Sequence, residues 1–152
     1  MVGLMSNENR ALKRKGKYSI GEVFEYIDAS PRGGARISFH GDSIHMRGPR
    51  MLNFRLHGIV CVSCGMRGAF FAKEQFGDDD PHLNLYGFNK QGSEILMTRD
   101  HIRPKAKSGT NHLFNLQPMC FTCNNGKADV WTTKDKLRYA ISKIKHWFIP
   151  SW

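Results

Sequence analysis

Apolar positions first fall into a rhythm at Ile20, Val23, Phe24 and Ile27, which recur at helical spacing. Ser19-Ile20-Gly21-Glu22 has the S-x-x-E form of a capping box. Together they predict a helix over about 20–28, stopped by Ser30-Pro31 and Gly33-Gly34. From Ala35 to Arg47 the period shortens to two: Ile37, Phe39, Ile44 and Met46 share one face, and Arg36, Ser38, His40, Ser43, His45 and Arg47 the other. Gly41-Asp42 suits a two-residue turn with glycine first, setting His40 opposite Ser43, Ser38 opposite His45 and Arg36 opposite Arg47. The apolar face of this ribbon is expected on the core. Its Arg/His face, with Arg36 and Arg47, is the candidate for lying against nucleic acid.

Pro49 to His57 reads as a second short helix, and Ile59 to Met66 as a strand and tight knuckle relieved by Gly65. Gly77-Asp78-Asp79-Asp80-Pro81 is a loop with solvated acids. Leu83–Phe88 and Glu94–Thr98 predict a hairpin around Asn89-Lys90-Gln91-Gly92, whose second strand runs into Asp100-His101. Thr132 to Asp135 offers another cap, and Leu137, Ala140, Ile141, Ile144, Trp147 and Phe148 form an apolar stripe. A helix over about 133–148 is expected to dock that stripe and show its lysines. The aromatic-rich end to Trp152 suits either a dimer contact or a fold back onto the core.

The 152 residues suit one domain with a real core, and 40% apolar content is ordinary for a globule. No apolar run approaches a membrane span, and the start lacks the apolar region of a secretory signal. A cytoplasmic, reducing compartment is therefore expected. The net charge of +10 favours a polyanion. Met1 to His57 holds 10 basic and 5 acidic residues and the rest 13 and 8, so the excess is shared. Residues 8–17 read as a mobile arm able to grip phosphates.

Four cysteines stand in two CxxC pairs, Cys61/Cys64 and Cys120/Cys123. Under reducing conditions such pairs point to metal rather than disulfides. Two CxxC turns complete a tetrahedral shell around zinc and leave no position for water, which makes the site structural. The gap between the pairs is wide enough for a functional insert. It ends in Asp100-His101-Ile102-Arg103-Pro104, a glycine-containing loop, Asn115-Leu116-Gln117, and then Cys120-Phe121-Thr122-Cys123-Asn124-Asn125-Gly126-Lys127.

This ordered set resembles the HNH, or ββα-metal, nuclease family over about residues 55–130. Its cysteines place the resemblance with the zinc-bearing branch and the small HNH proteins of bacteriophages. The resemblance implies an α+β fold: a ββα-metal core stapled by zinc, with an N-terminal helix and hairpin extension (1–50), a nuclease domain (51–131) and a C-terminal basic amphipathic helix (132–152). It implies a phosphodiester hydrolase, with His101 as general base and Mg2+ or Mn2+ on Asp100 and Asn124. Asn115 is expected to orient His101 across the loop, and Lys127 to contact phosphate, with Arg103, Lys105 and Lys107 on flanking phosphates. Many members carry histidine where this chain has Asn124, which weakens any case for a softer metal. DNA is the expected partner in preference to RNA, and no membrane; a homodimer or protein partner is left open. The competing readings are a zinc module that only binds nucleic acid, and one that bridges proteins.

Overall fold

The computed structural model describes residues 12–148. In chain order these form β1 (Leu12–Tyr18), α1 (Ile20–Ala29), β2 (Ile37–Phe39), β3 (Asp42–Ile44), α2 (Pro49–His57), β4 (Gly68–Phe76), β5 (His82–Phe88), β6 (Glu94–His101), β7 (Leu116–Cys120), α3 (Phe121–Lys127) and α4 (Thr133–Trp147). Single 3-10 turns at Lys105–Lys107 and Leu113–Asn115 shape the connection from β6 to β7. The architecture is α+β. An antiparallel sheet runs in the order β1-β4-β5-β6-β7, and β2 and β3 form a separate pair. The core cluster joins α1, the β2–β3 pair, α2 and one face of the sheet, with Val23, Ile27, Phe39, Phe54, Phe71 and Met97 all fully buried. Among the described residues no helix is long and apolar enough to cross a membrane.

Both helix starts follow from local chemistry. Ser19 caps α1 by accepting from the Glu22 N–H. The Glu22 carboxylate does not complete the box; it bonds His40 Nε2 at 2.6 Å and ties α1 to the β2–β3 turn. At α4 the box is complete, with Thr132 and Asp135 bonding reciprocally.

The structure corrects five expectations. Of the arm expected over 8–17, residues 8–11 lie outside the described part, and from Leu12 the chain is strand. Arg14 pairs with Glu74 at 2.9 Å and Glu94 at 2.6 Å, Lys17 pairs with Glu94 at 2.6 Å, and both lie over Phe70. These cations hold a sheet edge. In the ribbon, the turn is His40-Gly41, both at positive φ, and the register is Ile37↔Ile44, Ser38↔Ser43 and Phe39↔Asp42. That slip puts Asp42 on the core side, where it meets the buried ammonium of Lys73 at 2.7 Å.

The Arg face of the ribbon also disperses: Arg36 bonds Asp80 at 3.0 Å, while the Arg47 guanidinium is buried and donates to the Ile27 carbonyl at 3.1 Å. Ile59–Met66 is a knuckle with a single bridge, Val60 to Arg67, and no strand. The strand is β4, which follows it. Finally, the stripe on α4 does not dock: Leu137, Ile141, Ile144, Trp147 and Phe148 are exposed. The helix instead turns Asp135, Tyr139 and His146 inward, with Tyr139 and His146 against Phe114. Residues 149–152 lie outside the described part.

Candidate active site

The cysteines meet as the spacing predicts. A knuckle closed by Cys61 N–H to Met66 O and Gly65 N–H to Cys61 O presents Cys61 and Cys64. Gly65 sits there at φ +77°, which only glycine takes without strain. Cys120 ends β7 and caps α3, its sulfur accepting from the Cys123 N–H at 3.4 Å. All four sulfurs lie within 4.8 Å of one another. Cys64 and Cys120 are 3.8 Å apart, which suits one edge of a tetrahedron with metal–sulfur bonds of about 2.3 Å. Burial works against ionisation of Cys61, but the N–H groups of Cys64, Cys120 and Ser63 prevail and bring its thiol down to about 7. Burial, with the Cys61 charge beside it, pushes Cys120 up to about 12. Four thiols this close resist sharing negative charge unless a cation takes it, and the donor set fits structural zinc.

Directly behind this corner, β6, β7 and α3 form a ββα unit. β6 pairs with β7 so that Asp100 faces Gln117 and His101 faces Leu116. Asp100 is buried and His101, the last residue of β6, is half-buried at the mouth. A cleft of about 260 Å³ opens there, lined by Asp100, His101, Pro104, Lys105, Asn124, Ala128 and Asp129. Two strand neighbours thus reach one cleft because the strand ends at His101 and the chain turns away at Ile102.

The orientation of Asn124 is determined by one hydrogen. Thr98 Oγ1 donates its only hydrogen to the Met119 carbonyl at 2.8 Å, so toward Asn124 it can only accept. Asn124 therefore turns Nδ2 to Thr98 at 2.9 Å and keeps its oxygen for the cleft. His101 Nε2 lies 2.8 Å from Asn111 Oδ1. With that oxygen accepting, Nε2 carries the hydrogen and Nδ1 keeps the lone pair. Asp100 Oδ2 accepts from Gln117 Nε2 at 2.6 Å and Lys127 Nζ at 2.7 Å, leaving Oδ1 without those donors. One carboxylate oxygen and one amide oxygen in a common cleft suit a hard divalent cation.

Asn115, fully buried, grips the loop rather than the His101 ring. It accepts from the Arg103 N–H at 2.8 Å and donates to the Arg103 and Thr110 carbonyls. The ring contact comes from Asn111, a residue that nothing in the motif spacing marks. Lys127 donates to Asp100 and to the His101 carbonyl, so it stays within the site instead of reaching out to phosphate. Arg103 donates to the Lys107 carbonyl and lies over Trp131 at 5.0 Å. Lys105 lines the cleft, and Lys107 lies in the same exposed turn. His112 stacks on Phe114 and is not among the residues lining the cleft.

Residues 89–129 match the family model described as HNH endonuclease. The chain therefore carries an HNH domain, whose matched segment runs from the β5–β6 turn through α3, and this domain is of the nuclease type. No curated protein and no solved structure matches the chain.

Proposed function

We propose that the chain is a metal-dependent endonuclease that hydrolyses phosphodiester bonds in DNA. One juxtaposition carries the reading: the His101 ring, the Asp100 carboxylate and the Asn124 amide line a single cleft. Hydrolysis needs a deprotonated water and relief of negative charge at phosphorus. His101 is the general base, taking the proton at Nδ1 while Asn111 holds Nε2. Asp100 and Asn124 hold Mg2+ or Mn2+, which when bound neutralises the scissile phosphate and the leaving oxygen. Asn115 sets the loop so that His101 keeps its place at the rim. Lys105 and Lys107 remain for neighbouring phosphates, and Arg103 stiffens the turn that carries them.

The excess of basic residues on both sides of residue 57 supports a long polyanion rather than a small substrate. Residues 1–50 and the helix after 132 flank the nuclease segment (51–131) and would widen its footprint. The cleft itself can touch few bases, so modest specificity, or reading of DNA shape, is expected. Supercoiled plasmid and genomic DNA digested with Mg2+ or Mn2+ test the proposal, with the ends sequenced. The wild-type chain should cut, and His101→Ala should slow cutting by about 100-fold or more. Equal cutting by His101→Ala would sink the mechanism. A chain that binds DNA and never cuts it would instead be a zinc-stabilised binding module.

A further inference from the structure

Gln117 is a buried amide with both ends engaged, and its partners come from opposite sides. Its Nε2 donates to Asp100 Oδ2 at 2.6 Å, and its Oε1 accepts from Arg138 Nη1 at 3.3 Å. A guanidinium can only donate, so Arg138 fixes which end of the amide faces Asp100. Arg138 belongs to α4, outside the segment that matches the family model. It is itself steadied by Asp135, 3.7 Å away, and Asp135 by the capping box with Thr132. An unbroken line of polar contacts thus runs from the first turn of α4 to a carboxylate at the base of the cleft.

The geometry points to Gln117 and Arg138 as positioning residues for Asp100. Resting on the metal-site reading above, the proposal is that α4 aims this carboxylate and keeps its Oδ2 occupied, so that Oδ1 is the oxygen left to a cation. Residues that orient a metal ligand through hydrogen bonds tune the affinity of the site without touching the ion. A purely structural Arg138 would staple α4 and do no more.

The test uses the full chain and Mn2+ binding read by electron paramagnetic resonance without nucleic acid. Gln117→Leu and Arg138→Met should each weaken binding by about tenfold. Tyr139→Ala removes a packing contact of α4 on Phe114 instead; it should lower the melting temperature and leave Mn2+ affinity unchanged. Equal weakening by Arg138→Met and Tyr139→Ala overturns the proposal, as does unchanged affinity in Arg138→Met. Asp100→Ala checks the underlying reading. If it binds Mn2+ as well as wild type, the metal site is misplaced, and the Gln117 side-chain amide resonances then decide. They should move in Arg138→Met and hold still in Tyr139→Ala; resonances unmoved in Arg138→Met overturn the line of contacts.

Discussion

Lys127 Nζ lies 2.7 Å from Asp100 Oδ2, and both side chains are nearly sealed from water, at 11% and 6% exposure. The ammonium therefore stands as a built-in counter-ion to the carboxylate assigned to the catalytic cation. Removing one partner of such a pair leaves the other charge desolvated. Lys127→Met should lose about 3 kcal/mol of stability in buffer free of Mg2+ and Mn2+ with the zinc retained, and Mn2+ should return part of it by binding the freed carboxylate. Urea melts of the zinc-loaded chain with and without Mn2+ check this; a variant as stable as wild type without Mn2+ would show that the pair contributes nothing.

The four-cysteine centre should hold one zinc ion per chain by elemental analysis. Cys123→Ser, or a strong chelator, should lower the melting temperature by more than about 10 °C, because metal binding free energy is folding free energy. Cleavage should fall with it, although no cysteine lines the cleft. Full activity and unchanged melting after complete zinc removal would contradict this.

Gly109 is the tightest point of the loop that follows the base. A Cβ there would meet the Arg103 carbonyl oxygen at 1.8 Å. Gly109→Ala must shift the backbone that Asn115 grips, and displacement of a reacting group by about 1 Å can cost 100-fold in rate. Cleavage should therefore drop by at least about tenfold, with a much smaller change in melting temperature. Single-turnover kinetics beside a thermal melt separates the two effects.

His57 and His146 give α4 a dependence on pH. Their rings lie 5.6 Å apart, and His57 Nε2 bonds the Leu113 carbonyl. Burial lowers the His57 imidazole below its ordinary 6.5; the Leu113 carbonyl opposes this, and His146 and Lys145 add to it. Burial lowers His146 in the same direction. The folded state thus favours the neutral rings. Their contribution is complete above about 6.5 and is lost as pH falls through the lowered values. Protection factors of the α4 amides, corrected for intrinsic exchange, should fall between pH 7 and 5, and His146→Phe should reduce that slope; a flat profile of protection in wild type would refute the idea.

Where chemistry and spacing coincide, the sequence was legible. The two CxxC pairs, the hairpin into Asp100-His101 and the helix caps all involve neighbours within a few residues, and each appears in place. β4 was not legible, because Lys73 and Glu74 sit in mid-strand and look like surface charge. Both are buried: Lys73 is held by Asp42 and the Phe39 and His40 carbonyls, and Glu74 by Arg14, Asn84 and Tyr86. Partners up to 60 residues away conceal those charges, and no local pattern reports them. The α4 stripe misled in the opposite way: its periodicity is genuine, but the body offers a polar and aromatic seat to the other face. Asn111 went unmarked, and Gln117 stood in the motif without a role, because what each does arises only when the loop folds back.

The first strand carries a consequence for any shortened form of the chain. β1 pairs along β4 from Leu12↔Phe76 to Tyr18↔Phe71, with one irregularity beside Gly16. Its basic residues invite trimming as a dispensable tail. Starting the chain at Ser19 would bare the backbone donors and acceptors of β4 and leave Glu74 without Arg14. An uncovered edge of this kind is a template on which a second molecule can add its own strand. Such a form should elute as larger species on gel filtration, and what looks like a handle for DNA would prove to be the molecule's guard against itself.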